Sequence, residues 1–87
     1  MEKRLNEIIE DVKKDPVLRE QLIKDYTPFI KKTTNDFLAK KFNFLYEDAM
    51  SIAYLAFNEA IEKYDITKGN FLVFSRYIIR NRIIDFI

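Results

Sequence analysis

The residues best suited to chemistry lie at the C-terminal end of the chain, in the stretch Gly69-Asn-Phe-Leu-Val-Phe-Ser-Arg-Tyr-Ile-Ile-Arg-Asn-Arg-Ile-Ile-Asp-Phe-Ile87. Phe71, Phe74 and Tyr77 recur there at helical spacing, with Arg76, Arg80 and Arg82 interleaved. Aromatic faces stack on unpaired bases and guanidinium groups hold phosphates, so this pattern suits single-stranded nucleic acid. A helix needs only one apolar stripe to join a core. This segment has more apolar residues than one stripe holds and no Lys or Glu face to balance them. Part of its surface is therefore expected to meet a partner. The competing reading makes Phe71, Phe74, Ile78 and Ile79 core and leaves the arginines solvated.

Other chemistry is poorly supplied. The chain has no Cys and no His, so disulfides, thiolate metal sites and the usual general base are excluded. Asp48 lies four residues before Ile52, not before a His or Glu that would complete a metal motif. Glu59, Glu62 and Asp65 read as a solvated acidic face, and Gly69 stands alone without a phosphate-cradling loop. No enzymatic activity, cofactor or small-molecule ligand is expected.

The elements that position these residues are helical. With 87 residues, one Gly and two Pro, the chain suits one small all-α domain and leaves little turn chemistry for strands. Leu5, Ile8, Ile9 and Val12 predict a helix from about Lys3 to Lys14. Asp15-Pro16 stops it and caps the next. Leu18, Leu22, Tyr26, Phe29 or Ile30, Thr33 and Phe37 keep phase from Val17 to about Lys41, which favours one helix kinked at Pro28 over a break that restarts with Thr27 as cap. Residues 41–47 read as a loop in which Phe42 and Phe44 take opposite environments. Met50, Ala53, Tyr54, Phe57, Ile61 and Tyr64 predict a third helix from about Glu47 to Tyr64. Asp65 to Asn70 is the turn, with Gly69 at positive φ. The expected architecture is a compact bundle of about four helices over residues 1–87.

Charge is unevenly spread. The net charge is +1, yet Lys68, Arg76, Arg80 and Arg82 face Asp85 alone in the last segment. The first fifteen residues carry Lys3, Arg4, Lys13 and Lys14 against Glu2, Glu7, Glu10, Asp11 and Asp15. The basic patch for a phosphate-bearing partner thus belongs at the C-terminal end. The outer face of the third helix carries Asp48, Ser51, Ile52, Leu55, Asn58, Glu59 and Glu62. Ile52 and Leu55 among carboxylates read either as scattered surface hydrophobes or as a docking face for another protein. No apolar run approaches the roughly 20 residues of a membrane span, and Met1 is followed by Glu-Lys-Arg rather than an apolar leader, so the cytoplasm is the expected compartment. The last helix reaches Ile87 without a capping residue, which suggests a fragment or a chain completed by a partner.

The run Asp48 to Asp65, then Lys68-Gly69, then Phe71 to Asp85 resembles region 2 of bacterial sigma-70-family RNA polymerase sigma factors. The family pattern is an acidic helix closing on an Ala-hydrophobic-x-Lys-aromatic-Asp run, a Gly-x-Phe turn, and a helix bearing aromatics and arginines. Ser51-Ile-Ala-Tyr-Leu-Ala-Phe-Asn-Glu-Ala-Ile61 looks most like the sigma-I group. Leu22 to Lys41 looks like the preceding family helix, so the match covers roughly Leu18 to Ile87.

The resemblance implies a transcription-initiation domain that is not an enzyme. By that likeness Asp48, Ser51, Ile52, Leu55 and Asn58 would dock on the clamp helices of the core polymerase β′ subunit. The family commonly has Gln-Glu where this chain has Ser51-Ile52, which makes the contact more apolar here. Phe71, Phe74, Arg76, Tyr77, Ile78, Arg80 and Arg82 would recognise and melt −10 promoter DNA. Phe74 falls beside the flipped base, while Tyr77 and Ile78 replace two tryptophans that wedge the duplex fork in many members. Likeness to the sigma-I group implies an anti-sigma factor, the cytoplasmic domain of a membrane protein, as inhibitor. The C-terminal domain for the −35 element that most members carry is absent, so the chain would be an N-terminal piece or the free-standing region-2 subunit of a split factor. A purely protein-binding helical module is the alternative.

Overall fold

The computed structural model describes residues 2–87, with side chains from Arg4 onward, so the charges of Glu2 and Lys3 lie outside the described side chains. Helices α1 (Glu2–Lys14), α2 (Pro16–Asp25), α3 (Thr27–Phe37), α4 (Tyr46–Lys63) and α5 (Phe71–Phe86) follow one another, with short 3-10 turns at Lys40–Leu45 and Ile66–Lys68. The all-α class holds, with five helices where about four were expected.

The extra helix comes from Pro28. A proline in a helix interior lacks the N–H that would bond four residues back, and its ring crowds that carbonyl. The chain therefore breaks at Tyr26 (φ −101°, ψ 12°), and Pro28 falls in the first turn of α3, where the missing N–H costs nothing. The Thr27 hydroxyl does not cap; it donates back to the Ile23 carbonyl at 3.0 Å. The expected single kinked helix is thus two helices, and the break leaves Leu18 exposed while Leu22, Ile30 and Thr33 are buried. Asp15 caps α2 as expected, accepting from the backbone N–H groups of Val17 (2.9 Å) and Leu18 (3.3 Å). In α1, Leu5, Ile9 and Val12 are buried but Ile8 faces outward.

Helix α4 touches every other helix and packs most extensively on α5. Ala49, Ala53, Ala56 and Ala60 are all buried, so small side chains let neighbouring backbones approach closely along its length. Between them Met50, Phe57, Ile61 and Tyr64 fill the core, which matches the expected stripe apart from half-buried Tyr54. Phe71 sits edge-on to both Phe57 (ring centroids 5.5 Å) and Tyr64 (5.3 Å). Tyr26 and Phe29 extend this cluster from the other side of Phe57.

The chain enters α5 through a defined turn. Asp65 accepts the Thr67 N–H at 2.8 Å, Gly69 takes φ +85°, and Asn70 caps α5 by accepting the Val73 N–H at 3.0 Å. The Phe71 N–H is met by the Asn6 side-chain oxygen of α1 at 2.8 Å, and the Tyr64 hydroxyl donates to the Gly69 carbonyl. These contacts fix the start and direction of α5. In the preceding 3-10 turn Phe44 is exposed and Phe42 half-buried.

Two substitutions on α4 separate its faces. Phe57→Ala should cost about 3–5 kcal/mol in denaturant unfolding, because it opens a cavity in the ring cluster. Leu55→Ala, at a site 71% exposed, should stay within about 0.5 kcal/mol. Similar losses at both positions would show that the buried face of α4 is misassigned.

Candidate functional site

Two outward faces collect the candidate residues. On α5 the buried stripe is Phe71, Ser75, Ile79 and Ser75's further neighbour Ile83, an i, i+4 series directed at α4 and α3. The opposite face carries Val73, Tyr77, Arg80 and Ile84, which recur at i, i+4, i+7 and i+11. Val73 is 68% exposed, Tyr77 58% and Ile84 46%. This solvent face is therefore an apolar and aromatic strip with one cation in it.

The candidates for nucleic acid do not all reach that strip. Phe71 is fully buried, and no base can stack on it while the ring cluster stands, so it leaves the DNA-facing set. Phe74 is half-buried, with its ring against Tyr64 at 5.9 Å. Ile78 is half-buried beside it. Tyr77 is the one ring of the set that stands mostly in solvent.

The arginines differ in the same way. Arg76 donates to Asp36 of α3 at 3.0 Å and lies over the Phe37 ring at 4.6 Å. Arg82 grips Glu59 of α4 with two hydrogen bonds, Nε to Oε1 at 2.9 Å and Nη2 to Oε2 at 2.6 Å. Glu59 also accepts from Lys63 at 2.7 Å. Arg80 is exposed and has no carboxylate partner among the described residues; its one contact is a 3.4 Å hydrogen bond to the Asn81 side chain. The hydrogen bonds from Arg82 and then Lys63 hold the Glu59 carboxyl below its ordinary range. The hydrogen bond from Arg76 does the same to Asp36, and Glu59 in turn raises Arg82.

On α4, Asp48, Ser51 and Leu55 line one exposed stripe, and Ile52 is half-buried at its edge. The Ser51 hydroxyl donates to the Glu47 carbonyl at 3.3 Å, which leaves its lone pairs outward. Asn58 is already engaged: Arg19 of α2 donates to its side-chain oxygen at 3.2 Å, and the same guanidinium pairs with Glu62. The stripe is thus an aliphatic knob, Leu55, set among carboxylates.

Sequence reasoning missed Val73 and Ile84. Their spacing with Tyr77 and Arg80 carries the signal once Ser75 is placed in the core stripe. It also missed Asp36 and Glu59 as partners of the arginines. No cluster of metal-ligating side chains occurs among the described residues, and no helix there is long and apolar enough to cross a membrane.

With both faces described, comparison with known families decides what carries them. The Sigma-70 region 2 family matches residues 22–87. The chain belongs to that family. Region 2 of this chain is also similar to RNA polymerase sigma factor SigI1 of Acetivibrio thermocellus, at 50% identity over 70 residues, 79% of this chain and 27% of the relative. SigI8 of the same organism is 43% identical over 83 residues, 93% of this chain and 33% of the relative. SigI of Bacillus subtilis is 41% identical over 85 residues, 95% of this chain and 34% of the relative. The expected likeness to the sigma-I group is therefore found. The chain spans about a third or less of the length of these relatives. No solved structure matches it.

The paired carboxylates of this region 2 domain give a pH dependence with a definite sign. Glu59 and Asp36 titrate lower in the folded chain than in the unfolded one. Their contribution to stability is complete above the unfolded carboxylate range, about pH 4, and is lost as pH falls through the lower folded values. Unfolding free energy should fall as pH drops from about 5 to 3, and Glu59→Gln should flatten that fall. An unchanged pH slope in urea titrations of the variant would remove the Glu59–Arg82 pair from the account.

Proposed function

We propose that this domain serves transcription initiation, docking on core RNA polymerase through the exposed stripe of α4 and presenting the outer face of α5 to −10 promoter DNA. Membership of the sigma-70 region 2 family supports this reading, and the exposure of Tyr77 beside Arg80 on one helix face is the observation that carries it. In this reading Leu55 seats among the β′ clamp helices, with Asp48 and Ser51 making polar contacts around it. The named relatives are RNA polymerase sigma factors, and the assignment to this chain follows their likeness.

On the DNA side, Tyr77 is the stacking platform, and Val73 and Ile84 extend apolar cover along the helix. Half-buried Phe74 and the side of Ile78 border the place where an unpaired base would sit. Stacking contributes about 1–3 kcal/mol per base, while extruding a base costs a few kcal/mol. One exposed ring roughly offsets one opening and no more. Arg80 supplies the phosphate contact; Arg76 and Arg82 join only by leaving Asp36 and Glu59. With so few free cations the isolated domain binds DNA weakly, and the polymerase must supply the rest of the channel. An anti-sigma domain inhibits by covering either face. The domain itself performs no catalysis.

A second reading has protein partners on both faces, and the apolar character of Val73 and Ile84 favours it. The two readings part at Tyr77. Tyr77→Ala should weaken binding of the polymerase-bound domain to a single-stranded −10 oligonucleotide by about 1–3 kcal/mol with the fold intact. Unchanged affinity would remove the melting role and leave the protein-binding module. For the other face, an Asp48 and Leu55 double alanine variant should fail to retain core polymerase, or its β′ clamp helices, in a pull-down that the unaltered domain passes. Retention by the variant would move the docking surface off α4.

A further inference from the structure

Two surfaces are absorbed by neither the α4 stripe nor the outer face of α5. The first lies between α1 and α2. Ile8 and Val12 of α1 and Leu18 and Leu22 of α2 wall a depression of about 250 Å³ there. Ile8 is 37% exposed and Leu18 46%, so the walls keep apolar surface in water. Asp11 and Asp25 also line the depression, and no described cation does. Asp25 accepts from Gln21 at 2.8 Å, and neither carboxylate has an ion pair among the described residues. The volume falls short of the roughly 300–1,000 Å³ of small-molecule pockets and suits a single side chain.

The second surface is the 3-10 turn at Lys40–Leu45. Phe44 is 80% exposed, more than any other large hydrophobic side chain among the described residues. Single exposed hydrophobes are ordinary. This one stands beside Lys40 and Lys41 in a run, Leu38-Ala-Lys-Lys-Phe-Asn-Phe-Leu-Tyr46, that has no carboxylate. The Lys41 ammonium lies 5.3 Å from the centroid of the Phe42 ring. Neither lysine has an ion pair among the described residues. Glu47 and Asp48 follow only in the first turn of α4, where the helix N-terminus favours them. The turn packs on α4, and none of its residues lines the depression of its own chain.

We propose that the α1–α2 depression receives the Lys40–Leu45 turn of a second copy of this chain, with the Phe44 ring among Ile8, Leu18 and Leu22 and with Lys40 and Lys41 facing Asp11 and Asp25. An apolar knob meets an apolar hollow, and two unpaired cations meet two unpaired carboxylates. A nucleic-acid strand would match the charge of the turn alone and leave the acidic hollow without an occupant; a second copy accounts for both surfaces. The contact joins unlike patches, so it runs head to tail. One ring buries only about 150–250 Å², against roughly 1,200–2,000 Å² in stable interfaces. The association is therefore weak and belongs to high local concentration. It uses neither Leu55 nor Tyr77, so it stands apart from the function proposed above.

The test is charge reversal read by analytical ultracentrifugation. The weight-average mass of the unaltered chain should rise above that of the monomer between micromolar and millimolar concentration, and less so at high salt. The amides of Ile8, Leu22 and Phe44 should shift over the same range in the 15N-labelled protein. Lys40→Glu with Lys41→Glu should lower the association constant roughly tenfold or more, and so should Asp11→Lys with Asp25→Lys. An equimolar mixture of these two double variants should recover association, because the reversed turn of one then meets the reversed hollow of the other. All four sites are exposed, so the fold should survive, as circular dichroism would check. Phe44→Ala should weaken association with every charge in place. Association that persists in either double variant would overturn the proposal and move the contact elsewhere, and a mixture no better than its components would overturn it too. A chain that stays monomeric throughout would also overturn it, in favour of nucleic acid if a single-stranded oligonucleotide then shifts the amides of the turn.

Discussion

The placement of Phe71 between Phe57 and Tyr64 is the contact on which the rest of the molecule depends. It joins the first residue of α5 to the Phe57 ring of α4 and to the Tyr64 ring at that helix's C-cap. Such edge-to-face pairs are worth about 0.5–1.5 kcal/mol each beyond the area they bury. A chain of this size buries only about 60–65% of its unfolded surface, so a cluster of this kind is a large share of its stability. The buried alanines of α4 complete the constraint by leaving no bulk between the two helices. Once α5 is fixed at its N-terminus by Phe71, by the Asn70 cap and by Asn6, its rotation is fixed as well. Tyr77 and Arg80 must then face outward.

That rotation decides which charges remain free. Arg76 and Arg82 flank the buried stripe of α5 and come within reach of carboxylates on α3 and α4. The pairs are exposed enough that each adds little to stability. Their greater consequence is electrostatic: two of the three arginines on α5 are neutralised by their own domain. A basic patch counted along the sequence is therefore smaller in three dimensions than it looks. In the proposed reading this leaves only a weak intrinsic affinity for DNA, which suits a domain that would act when polymerase holds it beside the promoter.

What could be read from the sequence was what repeats locally. The α4 stripe from Met50 to Tyr64, the Asp15 cap and the Gly69 turn each depend on residues within a few positions of one another, and each is found as read. Pro28 was harder, because the apolar pattern stays in phase across it and a phase argument cannot tell a kink from a break. Backbone chemistry decided that question, through the carbonyl that a proline cannot satisfy. Phe71 was read as DNA-facing by the likeness and as core by the competing reading, and it is buried as the second had it. An aromatic type at helical spacing says that a ring is present, not which side of the helix the core lies on. The partners of Arg76 and Arg82 stand 40 and 23 residues away, where no local pattern reaches.

Glu59 is where the two proposed faces meet. It lies on α4 beside the stripe assigned to polymerase, and it holds Arg82 on the helix assigned to DNA. It also holds Lys63, so its charge is shared between two cations within one partly screened cluster. In the proposed reading, a clamp helix covering this flank of α4 would change the surroundings of Glu59 and so its grip on Arg82. Within that reading, docking and the supply of cations to phosphate would be linked through a single carboxylate that contacts both helices.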